Sequence, residues 1–199
     1  MKIIETKSEI ETKELNKKSE PVQKIFAGLV FPSGGIPFYY CVVVEKPFDR
    51  VASMEEREPI LQIVKEGQAP TISELKKELK KFEKLNCQYI YIENKKEFWN
   101  YIKEIVRWRA EEKLDIHFRP TRSVSFESSI MKIKEFIMDK RLSFPEESLI
   151  KTQLAIFSKS SFKQEDDFYA VKSLCLVIES FKKNPLQKTE KVPDQNSWW

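Results

Sequence analysis

Two places in this chain put carboxylates where an α/β protein presents side chains to a ligand. Glu93 ends the aromatic and β-branched run of residues 87–92, CQYIYI, and Asp166 and Asp167 open an apolar stretch that reaches Phe181. Strand ends and helix starts are where open sheets bind their ligands. Acids supplied by two such elements are the minimum for a hard divalent cation, which takes oxygen ligands, and a pair of these ions about 3.5 to 4 Å apart serves phosphoryl transfer. The same residues have a plainer use. Glu93 precedes a helix and Asp166-Asp167 reads equally as an N-cap pair, where the positive end of the helix dipole favours carboxylates. Spacing alone leaves both readings open.

Other reactive side chains are few. His117 is the single histidine, and no nucleophile with an orienting group stands near it in the sequence, so it reads as structural or surface-lying. Cys41, Cys87 and Cys175 are far apart in apolar contexts, which excludes a zinc ribbon and argues for small buried apolar residues. Trp99 and Trp108 fall on the apolar face of the helix after Glu93, or on its rim, and read as core rather than as a base-stacking platform.

The elements that position these residues follow from periodicity. Residues 25–30 and 38–44 are apolar runs separated by the breaker FPSGGIP, a hairpin-like pair of buried strands. Arg50 to Ser53 could form a third strand and Glu55 to Val64 a short helix, ended by Gly67 and Pro70. Thr71 to Lys84 carries a cap and apolar residues at helical spacing, and residues 96–112 return to that spacing through Phe98, Ile102, Ile105 and Trp108. A strand over 114–118, a helix over 125–138, a very short strand over 141–144, a helix or extended turn over 148–157 and an apolar helix over 167–181 complete the domain. Alternating helices and strands after a strand pair predict an α/β fold with a mixed sheet flanked by helices. Residues 1–23 read as a flexible leader, 24–182 as the domain and 183–199 as a flexible tail ending in Trp198-Trp199.

The chain has 199 residues, and 41% hydrophobic content fills a real core. No stretch approaches the length of a membrane span, and the first residues lack a secretory signal, so the expected setting is the cytoplasm without membrane contact. A net charge of +4 permits a nucleic-acid partner without demanding one. Residues 117–141 hold six basic side chains against three acids. Arg119, Arg122, Lys132 and Lys134 are the candidates for phosphate contacts, although a basic cluster of this size is also an ordinary solvated helix face.

In order, these pieces resemble the RNase H-like nuclease domain of phage and prophage terminase large subunits. Ala27-Gly28-Leu29-Val30 and the glycine-bearing turn before Phe38 resemble the family's first strand and turn; Ile90-Tyr91-Ile92-Glu93-Asn94 resembles its acid-ending strand; the basic segment from Arg119 to Pro145 and Glu165-Asp166-Asp167 resemble the later pieces. The resemblance implies a metal-dependent DNA endonuclease in a bacterial host cell. Glu93, Asp166 and Asp167 would hold Mg²⁺ or Mn²⁺, duplex DNA would lie on the basic residues, and the tail would face the terminase ATPase domain or the portal. It also exposes departures. Val30 stands where the family has its first catalytic Asp, and Ala170 where a further Asp often follows; no neighbour is an obvious substitute, and Glu45 and Asp49, at the far end of the second strand, approach the site only if the register differs from this reading. With four glycines and no Gly-Lys-Ser or Gly-Lys-Thr phosphate loop, the chain is not an ATP-driven motor by itself. An inactive relative that binds DNA or a packaging partner is therefore the alternative expectation.

Overall fold

The computed structural model describes residues 23–33, 36–46, 59–87, 89–121, 125–157 and 165–182. Residues 1–22 of the leader, Arg50 to Ser53, Asp49, Arg122 and the tail with Trp198 and Trp199 lie outside the described residues.

A six-stranded mixed sheet forms the centre, in the order β5-β4-β1-β2-β3-β6. β1 (Lys24–Val30), β2 (Phe38–Lys46) and β3 (Ile60–Ala69) form an antiparallel meander. β4 (Tyr89–Glu93) lies parallel to β1, β5 (His117–Thr121) parallel to β4, and the two-residue β6 (Leu142–Ser143) parallel to β3. Phe38 to Val44 of β2 are all buried, as an interior strand covered on both faces requires. The helix expected over 55–64 is corrected: residues 60–69 form β3. Leu61 and Ile63 point into the core while Ile60, Gln62 and Val64 do not, an alternation that pairing with β2 rewards and a helix would not. A register shift between Val42 and Val43 lets β3 continue through Gly67.

Helices cover both faces of the sheet. On one lie α1 (Ile72–Lys84) and α2 (Trp99–Glu111), the latter entered through a 3-10 turn at Lys96–Phe98. Leu75, Leu79 and Phe82 pack there with Leu29, Val42 and Ile90, each fully buried side chain contributing about 2 kcal/mol. α1 starts at a capping box: the Thr71 hydroxyl accepts from Glu74 N–H, and the Glu74 carboxylate accepts from Thr71 N–H, both at 3.2 Å. On the other face lie α3 (Phe126–Met138), α4 (Leu149–Ile156) and α5 (Tyr169–Lys182), which follows a 3-10 turn at Glu165–Phe168. They bury Ile130, Ile133, Ile150, Leu174 and Ile178 against Tyr39, Cys41 and Val43 of β2. Three helices end with a residue at positive φ, namely Asn86, Lys113 and Lys140. In each case the N–H of the following residue bonds back to a carbonyl five positions earlier, closing the last turn.

α5 approaches the sheet most closely at Gly28. A Cβ there would collide with the Ser173 carbonyl of α5, so only glycine admits the helix backbone at this separation. The Cys41 thiol beside this crossing is pushed up to about 12 by burial, outweighing its hydrogen bonds with Ser173 and Gly28. All three cysteines are buried free thiols, as expected. Among the described residues, no helix is long and apolar enough to cross a membrane.

A polar cluster pins α1 to the meander. The Glu78 carboxylate accepts from Lys65 Nζ at 2.5 Å, Lys81 Nζ at 2.6 Å and Tyr40 Oη at 3.0 Å. Burial works to raise its pKa, but these three donors together outweigh it and lower the carboxyl to about 2 from an ordinary 4.5. A depressed folded-state pKa means stability that is present above about 4.5 and lost as pH falls toward 2. The stability difference between wild type and Glu78→Gln, measured by urea unfolding, should therefore be constant near neutrality and shrink steadily below about pH 4.5. A difference unchanged down to about pH 2 would show that folding does not favour the ionised carboxylate.

Candidate functional site

β1 and β4 run parallel, and their pairing extends to Leu29 and Ile92. One step further on stand Val30 and Glu93, neighbours at the same end of the sheet. Alternation sets their faces. Gly28 passes under Ser173 of α5, so Val30, two residues on, also faces that helix, as Glu93 does two residues after Tyr91. α5 brings Lys172 into the gap: its Nζ lies 3.2 Å from Glu93 Oε2, and the Lys95 Nζ lies 3.0 Å from Glu93 Oε1. One carboxylate thus carries an ammonium on each oxygen. The Lys172 side chain is only 4% exposed and that of Glu93 15%. Val30, Phe31, Ser33, Ile36, Phe98, Tyr169 and Lys172 enclose a crevice about the size of one water molecule.

The start of α5 is held by Gln153, a buried side chain of α4. Its Oε1 accepts from Ala170 N at 3.0 Å and Val171 N at 3.2 Å, and its Nε2 donates to the Asp167 carbonyl at 3.2 Å. Gln153 therefore satisfies two helix-start amides that have no partner within the helix. This contact fixes the turn from which Tyr169 and Lys172 project. Asp167 itself is exposed on the 3-10 turn, and the side chain of Asp166 lies outside the described residues. Ala170, where the resemblance allows a further acid, is fully buried in the core. Glu45 pairs in register with Lys24, at the opposite end of β1 from Val30, ~20 Å away at 3.3 Å per residue.

The described side chains at this strand end, Glu93 with Lys172 and Lys95 on its oxygens, do not by themselves make a divalent-cation site, and the Asp166 side chain lies outside them. Among the described residues no three Asp, Glu, His or Cys side chains converge. The one carboxylate at the paired strand ends is already neutralised by two ammonium groups and faces the apolar Val30. A hard cation requires several oxygen ligands and repels fixed ammonium charge.

The basic candidates are spread over the molecule. Arg119 lies on β5, an edge strand, with its guanidinium 3.9 Å from the centre of the Tyr89 ring. Lys132 and Lys134 are on α3, which packs against β6 and α5, toward the opposite edge. Lys132 pairs with Glu135 at 3.0 Å, and Lys134 is exposed. These residues do not form one surface. His117, half-buried, sits 3.4 Å from Asp115 and against Tyr89, in keeping with a structural or surface role.

One tryptophan stands differently from the expectation. Trp99 is 46% exposed rather than core. Phe98, the last residue of the 3-10 turn, takes the inward position, and Trp99 emerges beside the strand end with its Nε1 donating to Asn94 Oδ1 at 3.4 Å. Trp108 is partly buried, with Lys76 and Lys80 over its ring. Lys172 was not among the candidates, although a signal for it existed. It is the only charge within YAVKSLCLVI, and a lysine in so apolar a run must find an anion when the helix is buried. No family model matches this sequence, and no curated protein matches it.

Proposed function

We propose that this chain is a catalytically silent RNase H-like domain of the terminase nuclease kind, which binds nucleic acid without cleaving it. The fold supports the reading coarsely. An α/β sheet in which the strand ending at Val30 and the strand ending at Glu93 are parallel neighbours meets the requirement that those two ends share one site. The observation that carries the loss of catalysis is the Lys172 ammonium on Glu93 beside Val30. Where the resemblance calls for carboxylates around a cation, this chain supplies an apolar side chain, one carboxylate and a cation of its own.

The test is direct. Purified protein is incubated with supercoiled plasmid in Mn²⁺, with and without chelator, beside Glu93→Gln and Asp167→Ala variants. None of the three proteins should nick the plasmid, while all should retain DNA at low salt and release it as salt rises. Nicking that requires metal and disappears in either variant would instead establish the metal-dependent endonuclease that Glu93, Asp166 and Asp167 suggest by resemblance.

A further inference from the structure

The outward face of α2 and of the 3-10 turn before it carries a feature that the candidate site does not explain. Lys96, Trp99, Asn100, Lys103 and Arg107 are all exposed and recur at helical spacing. The opposite face, through Phe98, Ile102 and Ile105, packs into the core. Acids lie toward one flank: Glu104 of α2 and Glu112 just past its end are held by Lys76 and Lys80 of α1, both at 2.8 Å, and Glu111 stands one turn beyond Arg107. The stripe carries three cationic side chains, with one large aromatic side chain at its end nearest Glu93. Trp99 is fixed there by its bond to Asn94, and Lys95 is 43% exposed alongside.

We infer that this stripe of α2 and the turn before it holds a single strand of nucleic acid, with Lys96, Lys103 and Arg107 on phosphates spaced along it and Trp99 stacked on an unpaired base. From Lys96 to Arg107 the stripe spans ~16 Å at 1.5 Å per residue, enough for about five nucleotides at 3.4 Å each. Cations along a backbone, interrupted by an aromatic ring, are the chemistry of sequence-tolerant strand binding. An indole exposed this far has no packing reason to be so large, and a fixed ring offers a base its face at little entropic cost. The inference rests on the proposed nucleic-acid partner but assigns it to a different surface from Arg119, Lys132 and Lys134.

The experiment uses the full chain and fluorescein-labelled oligothymidine of fifteen nucleotides, about three times the stripe, read by anisotropy across a salt series. A matched abasic strand, a blunt duplex and polyglutamate serve as the other probes. The Lys103→Glu/Arg107→Glu double variant should weaken binding at least tenfold, about what two lost phosphate contacts imply, and flatten the salt slope by about 1.4. Trp99→Ala should weaken oligothymidine about tenfold but leave the abasic strand unchanged, and Trp99→Phe should restore most of the loss. Lys134→Glu should change little, and melting curves identify any variant that has unfolded. The assignment is overturned if Lys134→Glu or Arg119→Glu abolishes binding while the α2 double variant does not. It is overturned too if Trp99→Ala affects both strands equally, which marks a structural tryptophan, or if polyglutamate competes as well as DNA, which marks an acidic protein as the occupant. Binding of the duplex with the α2 variants unaffected would remove this surface and spare the proposed function, whereas no binding of any nucleic acid would remove both.

Discussion

Replacing Gly28 by alanine is expected to destabilise the domain by about 3 kcal/mol or more. The new Cβ would overlap the Ser173 carbonyl, which belongs to the backbone of α5 and cannot rotate aside. Either the helix lifts, loosening Val171, Leu174, Cys175 and Ile178 from the sheet, or β1 bends out of its pairing with both β2 and β4. Both routes surrender buried contacts worth about 2 kcal/mol per large side chain. Gly67→Ala provides the contrast. There the obstruction is the Tyr40 hydroxyl, 2.7 Å from the added carbon, the far end of a side chain that can tilt at the expense of its 3.0 Å bond to Glu78. Its cost should be nearer 1 kcal/mol. Urea unfolding followed by tryptophan fluorescence separates the two, and a Gly28→Ala variant within about 0.5 kcal/mol of wild type would mean that α5 does not lie this close to β1.

Much of this architecture is legible in the residues. α1 is announced by Thr71, Glu74 and the spacing of Leu75, Leu79 and Phe82, and β2 by an unbroken β-branched and aromatic run. β3 is not. Its residues ILQIVKEGQA mix apolar and charged side chains in a way that suits neither period, and they become a strand because β2 offers a partner along their whole length. The closing helices show the reverse case. Their apolar content is plain, but that they share one face of the sheet depends on Gly28, whose role is invisible until Ser173 is opposite it.

The candidate site divides along similar lines. Glu93 is readable because a strand of five residues ends on it, and Val30 because it ends the strand that proves to be its neighbour. The distance between them is a matter of sheet order, which local pattern does not encode. Lys172 is further from reach. Its partner is 79 positions earlier in the chain, and only the crossing of α5 over β1 brings the two charges together. Trp99 faces out for a local reason: it stands one residue, about 100° of helix, on from Phe98, which shares the inward face with Ile102 and Ile105.

The Lys172–Glu93 pair should behave asymmetrically when it is broken. Glu93→Gln removes the carboxylate from an ammonium that is only 4% exposed, and is expected to destabilise by about 3 kcal/mol. Lys172→Met leaves Glu93 with Lys95, whose side chain reaches solvent, and should cost less, about 2 kcal/mol. The double variant Glu93→Gln/Lys172→Met removes both charges and leaves a neutral amide and an apolar side chain beside Val30 and Phe31. Its cost should fall below that of Glu93→Gln alone, because neither charge then remains to be desolvated, giving a coupling of about 2 kcal/mol or more in a double-mutant cycle. High salt should scarcely change that coupling, since the pair is shielded from the ions that screen surface charges. If the two substitutions simply add, the ammonium and carboxylate do not sense one another. The site would then lack the internal cation that supports the proposed loss of nuclease activity, and Glu93 would be available to ligands from solution. A large coupling would mean that folding itself consumes the one carboxylate at the paired strand ends, so that an incoming metal would have to displace a buried lysine before it could bind.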